Sequence, residues 1–285
     1  MTEILKGAPV AAALNEKIQA AVKMLEANGV RPALAIVRVG EKPDDISYER
    51  TAKKRCAAAG VEARGVALPE DCGQERLIET LRGLNSDKTV HGVLLFRPLP
   101  KYMDDDAVRN SLAPGKDVDG ITDASLAGVF AGSGRGYPPC TAQACMEILD
   151  FYGVELKGKR ATVIGRSLVV GKPAAMMLLG RHATITVCHT RTADMPSACR
   201  NAEILVASAG RPEIIGGEYL SPGQTVIDVG INVLDDGSLR GDVNFAEAAE
   251  IAAAVTPVPG GVGAVTTSVL LAHVADAAAK YADFE

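Results

Sequence analysis

The chain has 285 residues, 47% of them hydrophobic and 23% charged, a globular composition that excludes a disordered polymer. A formal net charge of -5, with no stretch that concentrates Lys and Arg, excludes a general nucleic-acid surface. The first residues lack the basic-then-apolar layout of a secretory signal, no apolar run reaches the roughly 18 residues that span a bilayer, and the cysteines form no CxxC pair. The expectation is a cytoplasmic protein with free thiols, no metal and no membrane partner.

Apolar strands alternate with amphipathic helices, the pattern of an α/β fold with a mostly parallel sheet. Residues 8–28 read as a helix with Ala11, Leu14, Ile18, Val22 and Leu25 on one face. A buried strand follows over 32–39, then a helix over 46–59, a strand over 62–68, a helix over 74–84 and a strand over 92–96. The glycine- and proline-rich stretch 131–139 is the best candidate for a domain crossing. After it come a helix over 142–152, capped by Thr141, a strand over 160–164 and a helix over 172–179. Strands over 184–188, 204–207 and 225–229 complete a second α/β set, and a last helix over 266–282 is expected to return to the first domain.

Residues 161–173 read as strand, tight turn and helix, bounded by Gly165 and Gly171. Gly165 lets the chain turn sharply off the strand. Gly171 lets amides at the helix start approach phosphate oxygens, where the helix dipole also favours negative charge. The segment departs from GxGxxG. It also misses a Walker A loop, with five residues between its glycines and Pro173 where a magnesium-binding hydroxyl belongs. A dinucleotide site and a purely structural turn both fit it. The strand over 184–188 runs into His189, Thr190 and Arg191, with no carboxylate for a ribose diol. A hydroxyl beside a guanidinium, with Arg166 in the turn, suits a 2′-phosphate, so NADP is expected over NAD.

Lys116-Asp117-Val118-Asp119-Gly120, Pro139-Cys140-Thr141, Gly165-Arg166-Ser167, Asp228-Val229-Gly230-Ile231-Asn232 and Thr256-Pro257-Val258-Pro259-Gly260-Gly261-Val262-Gly263 form an ordered set. In order and spacing they resemble the methylenetetrahydrofolate dehydrogenase/cyclohydrolase family over nearly the whole chain. The resemblance implies two α/β domains with a cleft between them, the second of Rossmann type, and usually a homodimer. It places residues 1–141 with 268–285 in a folate-binding catalytic domain and 142–267 in an NAD(P)-binding domain. The implied reaction is oxidation of 5,10-methylenetetrahydrofolate by hydride transfer, which many members follow with hydrolysis to 10-formyltetrahydrofolate.

By the same resemblance Tyr48 packs on the folate and Asp119 hydrogen-bonds the pterin, while Pro259, Gly260 and Gly261 form a loop near the substrate. Gly165, Arg166, Ser167, Gly171, His189, Thr190, Arg191, Ala209, Gly210 and Ile231 fall to the cofactor. Two positions depart from the family pattern. The family lysine of the hydrolysis step stands four residues after the tyrosine, where this chain has Ala52, and the glutamine that orients it is replaced by Phe96. Lys53 and Lys54 follow, but on a helix they point about 140° and about 240° from Tyr48, against about 40° for the fourth position. Hydride transfer needs positioning and no protein proton acceptor, whereas hydrolysis needs water attack and proton movement. The expectation is a dehydrogenase with weak or absent cyclohydrolase activity. The alternatives are a bifunctional enzyme in which Lys53 or Lys54 swings in, and a non-catalytic folate- or nucleotide-binding regulator.

Overall fold

The computed structural model of the chain describes residues 1–282. In chain order its first elements are β1 (Glu3–Ile4), α1 (Gly7–Ala27), β2 (Ala33–Val39), α2 (Pro43–Ala59), β3 (Glu62–Leu68), α3 (Gln74–Ser86), β4 (Gly92–Leu95), α4 (Asp105–Arg109), α5 (Asp123–Ala131) and α6 (Cys140–Phe151). There follow β5 (Arg160–Ile164), α7 (Gly171–Gly180), β6 (Thr184–Cys188), α8 (Met195–Arg200), β7 (Ile204–Ala207), β8 (Thr225–Asp228), β9 (Asn232–Val233), β10 (Leu239–Arg240), α9 (Phe245–Ile251), β11 (Ala254–Val255) and α10 (Thr266–Ala282). The chain divides into two compact units, one of residues 1–12 with 141–266, the other of residues 13–140 with 267–282.

The first unit is built on a six-stranded sheet in the order β1-β11-β8-β7-β5-β6, parallel at every pairing. Chain order reverses at β5, which has β6 on one side and β7 on the other. Residues 204–207 of β7 are buried throughout, as in a parallel sheet covered on both faces. The first twelve residues, expected with the other unit, group here because of backbone pairing. Glu3 stands opposite Ala254, and the Leu5 amide donates to the Val255 carbonyl at 2.9 Å.

The second unit carries a three-stranded parallel sheet, β3-β2-β4. Residues 33–37 of β2 are fully buried at its centre. Helix α2 lays Glu49, Ala52, Cys56 and Ala59 inward. It starts at Pro43, ahead of the expected Ile46, because proline is preset for the first turn and Asp44 and Asp45 favour the positive helix end. Helix α6, whose residues from Thr141 on belong to the first unit, starts at Cys140, so Thr141 lies inside its first turn and is not its cap. Among residues 268–285, assigned by resemblance to the catalytic domain, the last three lie outside the described residues.

Two buried charges organise the loops of this unit. Lys116, 1% exposed, donates from Nζ to the carbonyls of Leu84 at 2.7 Å and Asp87 at 2.5 Å, satisfying the end of α3. Asp117, fully buried, accepts from the amides of Ile121 at 2.9 Å and Thr122 at 2.8 Å and from the Ser125 hydroxyl at 2.6 Å. Asp104 caps α4 through the amides of Asp106 and Ala107, a helix-end role for the acidic run 104–106. No group of His, Cys, Asp and Glu among the described residues is arranged to hold a metal.

Removing the Asp117 carboxylate orphans two amides and a hydroxyl. Asp117→Ala should therefore cost about 3 kcal/mol in urea unfolding, and Ser125→Ala, which removes one of those donors, about 1 kcal/mol.

Candidate functional site

Residues that could meet a ligand gather in each unit, and each gathering has a separate physical origin. In the first unit the carboxyl ends of β5 and β7 flank the point where strand order reverses, the place where open parallel sheets receive ligands. Gly165 leaves β5 at φ 116°, and a Cβ there would lie 2.4 Å from the Ser208 carbonyl oxygen. A Cβ on Gly171 would lie 2.3 Å from the Gly165 carbonyl oxygen, so both positions require glycine. The Ser167 hydroxyl accepts from the Val170 amide at 3.1 Å and, more loosely, from the Gly171 amide at 3.4 Å. The Lys172 amide donates to the Ser167 carbonyl at 3.0 Å and Pro173 has none, so what the start of α7 offers an anion is its dipole and a close backbone approach, not the free amides expected from the sequence.

At the end of β6 the His189 amide donates to Thr192 Oγ1 at 2.9 Å, and the Arg191 amide to His189 Nδ1 at 3.2 Å. Both ring and hydroxyl are engaged in shaping the turn. Arg166 and Arg191 are exposed, and among the described residues neither has an ion-pair partner. The backbone after β7, Ser208-Ala209-Gly210, starts beside the turn, with the Ser208 amide on the Ile164 carbonyl at 2.9 Å. Ile231, 63% exposed, follows β8 and shares a concavity of about 280 Å³ with Asp228, Leu239 and residues 257–264. The Pro259-Gly260-Gly261 loop is pinned from below, since the Gly7 amide donates to the Gly260 carbonyl at 2.8 Å.

Sequence reasoning missed two carboxylates here. Asp228, at the end of β8, accepts from the amides of Gly230 at 2.9 Å, Asp242 at 3.0 Å and Val243 at 3.0 Å. Burial pushes its carboxyl up to about 6 despite those bonds, and Asp242 beside it acts in the same direction. Asp242, fully buried, accepts from the amides of Gly210 and Arg211 and from Asn232 Nδ2. Asp228 stands in the quoted 228–232 motif without an assigned role, and only the folded chain shows the close approaches at Gly230 and Gly241 that mark the pair.

In the second unit the ring of Tyr48, 50% exposed, packs on Phe96, 9% exposed, with centroids 5.3 Å apart. Asp119 and Cys140 are electrostatic neighbours of the same phenol, whose pKa is raised by burial first and then by both of them. Asp119 is pushed up to about 6 by burial, against a hydrogen bond from the Cys140 thiol. The one thiol proton is shared between Asp119 and the Val118 carbonyl, 3.3 Å from the sulfur, and His273 Nδ1 lies 2.8 Å from that same oxygen. A histidine therefore stands 3.9 Å from this thiol, although none is near it in sequence. Its nitrogen is committed to Val118, and burial with Asp119 holds the thiol well above its ordinary range, so Cys140 stays protonated and is no nucleophile.

Lys53 and Lys54 do not join this group. They line a separate concavity of about 580 Å³ with Arg38, Glu49 and Arg50, which neither Tyr48 nor Phe96 enters. Lys53 Nζ pairs with Glu49 at 2.6 Å, and Arg38 takes the other carboxylate oxygen at 2.7 Å. Burial opposes ionisation of Glu49, but hydrogen bonds from Lys53 and Arg38 outweigh it and hold its carboxyl below the usual range. The position facing Tyr48 one turn on belongs to Ala52, 4% exposed.

Because folding raises the Asp119 carboxyl from 3.8 to about 6, its neutral form contributes stability that is fully present below pH 3.8 and lost as pH rises through about 6. Asp119→Asn should remove that limb, leaving the variant more stable than the native chain at pH 7 in thermal unfolding.

Residues 5–119 match the family model described as "Tetrahydrofolate dehydrogenase/cyclohydrolase, catalytic domain", and residues 139–282 the one described as "Tetrahydrofolate dehydrogenase/cyclohydrolase, NAD(P)-binding domain". The "Bifunctional protein FolD" of Carboxydothermus hydrogenoformans is 48% identical over 275 residues, 96% of each chain. Among solved structures, the bifunctional enzyme FolD from Campylobacter jejuni superposes with a TM-score of 0.95 at 34% identity, covering 98% of this chain and 99% of its own. The Trypanosoma brucei dehydrogenase-cyclohydrolase, complexed with NADP cofactor and inhibitor, gives 0.90 at 35% identity, with 98% of each chain covered.

Proposed function

The chain belongs to the tetrahydrofolate dehydrogenase/cyclohydrolase family, and from that premise we propose that it oxidises 5,10-methylenetetrahydrofolate to the 5,10-methenyl form with NADP. The observation that carries the reading is Asp119 beside Tyr48. A pterin presents an amino group and a ring N–H side by side, and a fixed carboxylate accepts both. Asp119 is bonded on its own side by a single thiol, so it keeps lone pairs for such a donor edge. The half-exposed ring of Tyr48 offers an aromatic face for the substrate, and Phe96 packs against it at a tilt of 57°.

NADP, when bound, supplies the hydride acceptor. This chain's part is to hold the two partners. The Gly165–Gly171 turn brings its backbone to the pyrophosphate, and the exposed Arg166 and Arg191 are cations for a 2′-phosphate. No side chain needs to take a proton in the transfer, since electron density from the folate nitrogens drives it.

Hydrolysis of the methenyl product is a separate question. The names borne by the relatives favour the bifunctional reading. One specific observation favours a dehydrogenase with little hydrolase activity: Ala52 and Phe96 place hydrocarbon where a proton-moving amine and its orienting amide would stand, and Lys53 is held by Glu49. Purified protein given methenyltetrahydrofolate decides between them. Consumption well above the spontaneous rate supports bifunctionality; a rate equal to the spontaneous one supports the second reading.

In the same assay the double variant Ala52→Lys, Phe96→Gln is expected to gain hydrolysis at least tenfold under the second reading, with hydride transfer within a few-fold of native. For the cofactor, the double variant Arg166→Ala, Arg191→Ala should raise KM for NADP by more than tenfold while moving KM for NAD by less than threefold. Equal effects on both would remove the 2′-phosphate assignment.

A further inference from the structure

We infer that Asp242, which contacts neither substrate nor cofactor in the arrangement described, is a positioning residue that builds the nicotinamide half of the NADP site; the inference rests on the NADP reading above. Its carboxylate joins two loops at the carboxyl edge of the six-stranded sheet. Oδ2 accepts the Gly210 amide at 2.9 Å, on the loop after β7. Oδ1 accepts the Arg211 amide at 3.0 Å on that loop, and Asn232 Nδ2 at 3.0 Å beyond Ile231 on the loop after β8. The aspartate is itself fixed from the sheet, because its own amide donates to Asp228 at the end of β8. A Cβ on Gly230 would fall 2.4 Å from the Asp242 side chain, so the backbone has been drawn up against this carboxylate.

Strand spacing says which half of the cofactor these loops serve. Across the sheet the order is β6, β5, β7, β8, and neighbouring strands lie about 4.8 Å apart, so the step from β6 to β8 spans about 14 Å. That is the scale of an extended dinucleotide. The 2′-phosphate residues Thr190 and Arg191 follow β6, and the pyrophosphate turn follows β5. The nicotinamide end then extends past β7 and β8, over Ala209, Gly210 and Ile231. A buried carboxylate answered by backbone amides and one side-chain amide, with no ion-pair partner among the described residues, holds both of these loops in place. Without it, two amides lose their acceptor, Asn232 Nδ2 keeps only its longer bond to the Arg240 carbonyl at 3.2 Å, and the loops lose a shared anchor.

The test measures binding of two probes, NADP and adenosine 2′,5′-bisphosphate, by calorimetry on the native chain, on Asp242→Ala and on Asn244→Ala. Asn244 caps α9 two residues away through the Glu247 amide, so its variant reports general weakening of this region. For Asp242→Ala, Kd for NADP is expected to rise at least tenfold while Kd for the bisphosphate stays within twofold; Asn244→Ala is expected to leave both within twofold. An unchanged Kd for NADP in Asp242→Ala overturns the inference. So does equal weakening of both probes, which is what a merely structural role would produce. A native chain that binds neither probe overturns the NADP reading and this inference together, a result distinguishable from the other two.

Discussion

Two backbones meet without a side chain between them where α7 begins, and the first unit is arranged around that meeting. Gly171 sits against the carbonyl of Gly165, and Gly165 against Ser208, each at a distance no Cβ could tolerate. Such an approach is possible only where parallel strands end at one edge and the chain can turn at once into a helix. The oriented helix dipole at the start of α7 follows from it, while the amides of Gly171 and Lys172 are turned onto Ser167.

Holding loops at that edge requires acceptors for many buried amides, and both units use aspartates for the purpose. Asp117 in one unit, and Asp228 and Asp242 in the other, each accept from two or more donors with little or no exposure to solvent. A carboxylate suits this task because it has about four lone-pair directions and no donor of its own to satisfy. The burial that raises the Asp228 carboxyl to about 6 is therefore a cost of organising loops and not a sign of proton transfer. Asp119 is raised to the same value but differs in what it touches. Its bond from Cys140 leaves most of its acceptor capacity unspent, as a ligand-facing carboxylate needs.

Helix α2 shows how one helix can separate chemical roles by angle alone. Tyr48 faces Phe96 and the Asp119 cluster, Ala52 and Cys56 face the core, and Lys53 faces Glu49 and Arg38. A lysine moved one residue along such a helix turns by about 100° and enters another environment altogether. Here that environment contains a carboxylate, so the displaced amine is paired there.

The amino-acid sequence by itself determined the α/β class, the glycine-bounded turn and most of the strands, since these rest on local periodicity and on backbone conformations that few residues allow. It also separated Lys53 and Lys54 from Tyr48 in angle, because helical geometry is local. It could not place residues 1–12, whose short strand is defined by a partner at residues 254–255, nor bring His273 beside Cys140 across the chain. Nor could it give Asp242 a role: one aspartate after one glycine has no local signature, and its meaning lies in donors at residues 210, 211 and 232. Tertiary structure decided those features because each depends on groups far apart in sequence competing for the same buried acceptor.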